Sequence, residues 1–262
     1  MNQPASGTDQ PIRIRREGAI IRVGFNEPER YNPLRSAVIE ALHNALDTIA
    51  DDTRVRVVIL DAEGKAFSAG HDLREIRATE NRASHLALFK NCSALMQRVI
   101  SLPQPVIAQV QGIATAAGCQ LVATADLAVA GRSARFATSG INLGLFCSTP
   151  AVAVSRVVPR KQALSMLFTG DFMEAEEAAR VGLVNQAVDD EALGDTVTGL
   201  AEKIAAKPPE VISAGKALFY RQAGENLATA YDDASETMAC NMDTEAAREG
   251  VDAFLEKRTP KW

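Results

Sequence analysis

The four cysteines, Cys92, Cys119, Cys147 and Cys240, stand far apart, and none is paired at the spacing of a zinc knuckle or a redox motif. They read as reduced thiols of a cytoplasmic protein, and no metal site is expected. No apolar run approaches the ~20 residues that a membrane helix needs, so no membrane partner is expected. Residues 1–10 lack both a signal-peptide core and an Arg-rich amphipathic pattern, and read as a flexible tail on a protein that stays where it is made. Positive charge is outnumbered: 28 Lys and Arg against 33 Asp and Glu leave a net charge of −5. That balance argues against nucleic acid as a partner, although local basic clusters could hold a small phosphorylated ligand. Also missing are a GxGxxG turn after a strand, a GxxxxGK[ST] loop, an HExxH helix and a GxSxG elbow.

What is present suits an α/β protein. Residues 12–16 and 19–25 alternate around Glu17-Gly18, which predicts an opening hairpin. Val38, Ile39, Leu42, Leu46 and Ile49 recur at helical spacing, with Ser36 as the expected N-cap. Buried strands are expected at 55–60, 105–111 and 126–130, with a short one at 134–136. A loop is expected over 61–72, a long helix over 82–101 and another from about 116 to 124. After Thr149-Pro150 the pattern is helical except at 183–188, with helices near 159–169, 174–181, 190–206, 208–223, 227–240 and 243–256. This order predicts a tail over 1–10, an α/β core over 11–200 and a helical region over 201–262.

Two strand-to-loop segments are rich in small residues, 65–74 and 112–120. Small residues let a ligand approach the backbone, and a helix starting near Ala116 leaves its first N–H groups unpaired with its dipole positive toward the loop. Tight turns and close helix–sheet packing account for the same composition, so spacing alone leaves both readings open.

Specific motifs extend this pattern. Phe67-Ser-Ala-Gly-His-Asp-Leu73 resembles the F-x-x-G-x-D-[LI] loop of the crotonase (enoyl-CoA hydratase/isomerase) family, and Pro105-Val-Ile-Ala-Gln-Val-Gln-Gly112 resembles its following strand. The resemblance continues through residues 116–121, 126–130, 136–145, 167–170, 175–184 and 254–258. Thr115-Ala-Ala-Gly-Cys-Gln120 and residues 144–150 are closer to the subgroup of enoyl-CoA hydratase domain-containing protein 3 than to a standard hydratase. The resemblance implies the crotonase spiral of ββα units, with C-terminal helices that mediate a homotrimer or homohexamer. The expected partner is an acyl-CoA thioester, with coenzyme A entering as part of the substrate and no permanently bound cofactor.

By the same resemblance, the backbone N–H groups of His71 and Ala117 form an oxyanion hole, with the His71 imidazole lining the pocket or transferring protons. The backbone of Ser68, Ala69, Gly70, His71 and Asp72 would flank the adenine of coenzyme A, with Leu73 counted in the same coenzyme site. Lys65 and Arg74 match basic positions near its phosphates or adenosine, and Phe254 and Lys257 match the C-terminal helix that reaches this site in a trimer. Ordinary solvated surface positions describe those charges equally well.

The family's two catalytic glutamates fall on Gln120 and Gly140. An amide orients water but does not take its proton, and glycine offers nothing. Thioester polarisation is therefore expected without the proton chemistry of hydration. Cys147 and Ser148, in a neighbourhood where other members place an acid, are the remaining pocket candidates. Three readings follow: a hydratase- or isomerase-like enzyme with an atypical site, a decarboxylase of malonyl-type thioesters, and a non-catalytic acyl-CoA-binding protein.

Overall fold

The structure, a computed structural model, describes residues 10–78 and 81–262. The expected tail therefore lies almost wholly outside the described residues.

Strands β1 (Ile12–Glu17) and β2 (Ile20–Phe25) form the expected antiparallel hairpin. Gly18 takes the positive φ of 63° that its tight turn requires. Helix α1 (Ser36–Ala50) turns Val38, Ile39, Leu42, Leu46 and Ile49 inward, as the spacing predicts. Its N-cap is Arg35, however, and no side chain caps it there. The Ser36 N–H instead donates to the Glu75 carboxylate at 3.0 Å, a partner that no local pattern could supply.

Three structural units then repeat. The first contains β3 (Val57–Ala62), the short β4 (Ala66–Ser68), α2 (Leu73–Ala78) and α3 (Arg82–Ser101). The second contains β5 (Val106–Val110), the short β6 (Ile113–Thr115) and α4 (Ala117–Thr124). The third contains β7 (Leu127–Gly131), the short β8 (Arg135–Ala137), a 3-10 turn (Ser139–Leu143) and α5 (Ser148–Val157). The remaining elements are α6 (Arg160–Thr169), β9 (Met173–Glu174), α7 (Ala175–Arg180), β10 (Gln186–Val188), α8 (Leu193–Ala205), α9 (Pro209–Gln222), α10 (Leu227–Met242) and α11 (Glu245–Leu255).

The long strands form one sheet in the order β1-β2-β3-β5-β7-β10, parallel after the opening hairpin. The short strands form a second sheet, β4-β6-β8-β9. Each unit thus contributes one strand to each sheet before its helix, which is the turn of a spiral. The main sheet is covered on both faces. Val58 and Leu60 join the core beneath α1 and α3, while Val57 and Ile59 meet Leu193, Val197 and Ala201 of α8. Two-sided burial is why these strands read as unbroken apolar runs.

Two of the short strands, β4 and β6, lie in segments where the sequence predicts loops. Three residues are too few to show a period of two, and pairing with the neighbouring unit is what orders them. Helix α2, at six residues, is too short to show a helical period.

Candidate active site

The second sheet brings the two small-residue loops side by side. β4 pairs with β6 in parallel, and Thr115 Oγ1 donates to the Ala69 carbonyl at 3.0 Å. Gly118, in the first turn of α4, lies so close to the other loop that a Cβ there would sit 2.2 Å from the Ser68 carbonyl oxygen. Gly70, at φ +82°, also approaches the following loop: a Cβ on it would lie 3.0 Å from the Ala117 nitrogen. Close helix–loop packing therefore does explain these glycines.

Packing does not explain the N–H groups that this arrangement leaves. Ala116, directly before α4, holds φ 48° and ψ −117°, a conformation that a residue with a Cβ rarely adopts. It commits its own N–H to the Ala137 carbonyl at 2.9 Å. The next N–H, of Ala117, has no acceptor among the described residues although Ala117 is 1% exposed. The His71 N–H, on the residue that follows Gly70, also has none. The Ala117 N–H belongs to the unpaired first turn of α4, and the touching loop sets the free His71 N–H beside it.

His71 has further constraints. Its Nδ1 lies 3.1 Å from the Leu34 carbonyl oxygen, and its ring meets Phe89 of α3 edge-on, with centroids 5.5 Å apart at 73°. Nε2 is buried with no partner among the described residues. Burial lowers the imidazole pKa, against the opposing pull of the Leu34 hydrogen bond and of Glu75. Asp72 receives Arg30 and the Arg74 N–H, so its carboxylate anchors the start of α2.

Gln120 is 3% exposed, and its Oε1 lacks a partner among the described residues. Thr138, fully buried just past β8, has an equally unpaired Oγ1 that sequence reading passed over. Gly140 is not an open position. A Cβ there would lie 2.7 Å from the Leu145 carbonyl oxygen and 2.8 Å from Cys147 Sγ. The chain turns back at this point, with the Leu145 N–H donating to the Gly140 carbonyl at 3.0 Å. Burial raises the Cys147 thiol pKa, and the neighbouring Cys119 is pushed up to about 12. Ser148 starts α5, and its hydroxyl donates to the Phe146 carbonyl at 3.3 Å.

The other expected contacts are only partly assembled. Ser68 to Leu73 run from the end of β4 to the start of α2 beside α4, and Lys65 before β4 and Arg74 in α2 are exposed. Phe254 is 82% exposed and Lys257 is exposed, so within one chain neither packs into this loop. No group of three or more His, Cys, Asp or Glu among the described residues is placed to hold a metal ion.

Parallel spiral units joined by two glycine-tight loops define a crotonase-type α/β protein. Residues 15–262 match the enoyl-CoA hydratase/isomerase family, and the chain belongs to it. It is 43% identical over 262 residues to the rat mitochondrial enoyl-CoA hydratase domain-containing protein 3, with 99% of this chain and 87% of the relative covered. Among crystal structures, an enoyl-CoA hydratase from Mycobacterium smegmatis superposes with a TM-score of 0.95. It shows 52% identity, over 96% of this chain and 98% of that one. Human enoyl-CoA hydratase domain-containing protein 3 superposes at 0.94 with 44% identity, over 96% of this chain and all of that one.

These relatives correct the expected cytoplasmic location. Those from rat, mouse, Xenopus laevis and human all carry "mitochondrial" in their names. Unpaired cysteines mark any reducing compartment, so the composition never favoured the cytoplasm in particular.

Proposed function

We propose that this chain binds an acyl-CoA thioester and polarises its carbonyl between the N–H groups of His71 and Ala117. The observation that supports this is the pair of unpartnered donors on touching loops. A thioester oxygen that gains negative charge on the way to an enolate would satisfy both donors, and the N-terminal end of α4 adds a favourable dipole. Lys65 and Arg74, exposed on either side of this segment, suit the phosphates of coenzyme A, and the Ser68–Asp72 backbone suits its adenine. Phe254 and Lys257 would join the site only from a neighbouring chain in a trimer or hexamer.

Gln120 and Gly140 stand where a hydratase has its carboxylates, and efficient hydration is not expected. Positioned acid–base groups supply roughly 10²–10⁴-fold in rate, which the amide of Gln120 cannot replace. The closed position at Gly140 favours one further reading, the decarboxylation of malonyl-type thioesters. Loss of CO₂ generates the enolate without any base, so the oxyanion donors alone would serve.

The test has two parts. Carbonyl-¹³C acyl-CoA should bind in calorimetry and show a displaced carbonyl resonance in the bound state. A panel of enoyl-, malonyl-, methylmalonyl- and 3-hydroxyacyl-CoA esters, analysed by mass spectrometry, then identifies the reaction. Binding with no product from any ester would make this an acyl-CoA-binding protein. No binding at millimolar concentrations would overturn the reading altogether.

A further inference from the structure

We propose that Asn32 is the positioning residue for the His71 donor: its buried amide ties residues 31–34 to the segment 63–70, and that segment aims the His71 N–H. This rests on the thioester reading above and names what holds one of its two donors. Asn32 is 1% exposed. The Glu27 N–H donates to its Oδ1 at 2.9 Å, and its Nδ2 donates to the Glu63 and Ala66 carbonyls, each at 2.8 Å. The reverse orientation of the amide would set its oxygen against two carbonyl oxygens, so the three bonds fix the side chain. The Ala66 contact falls where β4 is irregular. From Ala66 to Ser68 this strand advances two residues while β6 advances one, from Ile113 to Ala114. An extra residue of this kind redirects a strand, and here the strand leads into the residues before His71.

The backbone beside Asn32 holds those residues. The Tyr31 carbonyl accepts the Ala69 N–H at 2.9 Å, and the Leu34 N–H donates to the Gly70 carbonyl at 2.8 Å. That carbonyl shares a peptide plane with the His71 N–H, and in a trans peptide the two point opposite ways. Fixing one therefore aims the other. The Gly70 N–H is held as well, by Ser68 Oγ at 3.2 Å.

The turn that does this is strained. Tyr31 and Asn32 hold φ of 60° and 51° in succession, a left-handed backbone that residues with a Cβ adopt rarely and asparagine most readily. Such conformations persist where the surroundings impose them, and the Asn32 amide bonds this turn to the segment that it aims.

The experiment records the carbonyl resonance of carbonyl-¹³C butyryl-CoA bound to wild type, N32G, N32D and K216A. N32G keeps the left-handed backbone without strain and removes all three bonds. N32D keeps the acceptor for the Glu27 N–H and loses both donations. K216A is destabilised away from these loops. In N32G and N32D the displacement of the bound resonance should fall by about half or more, because one of two donors turns away. Affinity should stay within about tenfold of wild type, the worth of a single hydrogen bond. K216A should keep the full displacement. Full displacement in folded N32G or N32D would overturn the proposal and leave the thioester reading intact, and an equal loss in K216A would overturn it too. A wild type with no displaced resonance would remove both. Amide exchange of wild type adds a check that needs no variant. The Leu34 and Ala69 N–H groups should be protected like those of β5, and fast exchange of either would overturn the proposal.

Discussion

Ala116 and Gly118 show how single residues set the direction of a backbone donor. The conformation at Ala116, with φ 48°, costs about 1–3 kcal/mol and aims the next N–H out of the hydrogen-bond ladder. Gly118 lets α4 sit against Ser68, so Gly118→Ala forces a methyl group into the Ser68 carbonyl. The expected cost is about 3 kcal/mol in urea unfolding, together with loss of thioester binding, because the two loops must separate. His71 adds a pH dependence of stability. Its folded pKa lies below the ordinary 6.5, so the unfolded chain takes up the proton first. The stability this group confers is present above about pH 6.5 and is lost as pH falls from there through the folded value. Glu75 and the Leu34 carbonyl oppose the shift without reversing it. Urea midpoints measured from pH 8 to pH 5 should fall more steeply for wild type than for H71F.

Among the elements, α9 depends on one buried cluster to reach the core. Lys216 donates to Asp126 at 2.6 Å and to the carbonyls of Val99 and Gln104, while Tyr220 donates to the other Asp126 oxygen at 2.8 Å. Side-chain exposures of 7% and 15% make this a buried pair, and removing one partner strands the other. Lys216→Ala should cost about 3–5 kcal/mol, read from chemical denaturation. The turn at Ser139–Leu143 gives a different kind of prediction. Gly140→Glu collides with the Leu145 carbonyl and Cys147 Sγ, so Q120E/G140E should be destabilised and hydrate crotonyl-CoA poorly. Adding C147G removes one of the two obstacles and should raise hydration above that of the double variant. Equal rates in the double and triple variants would show that Cys147 does not close the position. The element pattern itself was readable: α3 spans the residues its periodicity predicts, whereas α2, β4 and β6 were too short to leave a period.

For the whole molecule, the C-terminal helices present an apolar face that one chain does not cover. Leu227, Tyr231, Met238, Phe254 and Leu255 are 63–82% exposed, and α9 and α10 contain no buried residue. An apolar surface of this kind marks an interaction site. The family resemblance implies a trimer or hexamer, which sedimentation tests, and Tyr231→Asp with Met238→Asp should then shift the protein to smaller species.

The sequence by itself determined the hairpin, the alternation of strand and helix, the family and the two loops. Each is written in local periods or in short motifs of adjacent residues. The resemblance to the family also implies that Gln120 and Gly140 fall at its glutamate positions. Only the tertiary structure decided what surrounds those positions. The His71 ring is oriented by Leu34, 37 residues earlier, and by Phe89 on another helix. The space beside Gly140 is closed by the backbone folding back at Leu145. Such contacts join residues that no local period relates, so the orientation of a side chain and the room around it are settled only when the chain has folded.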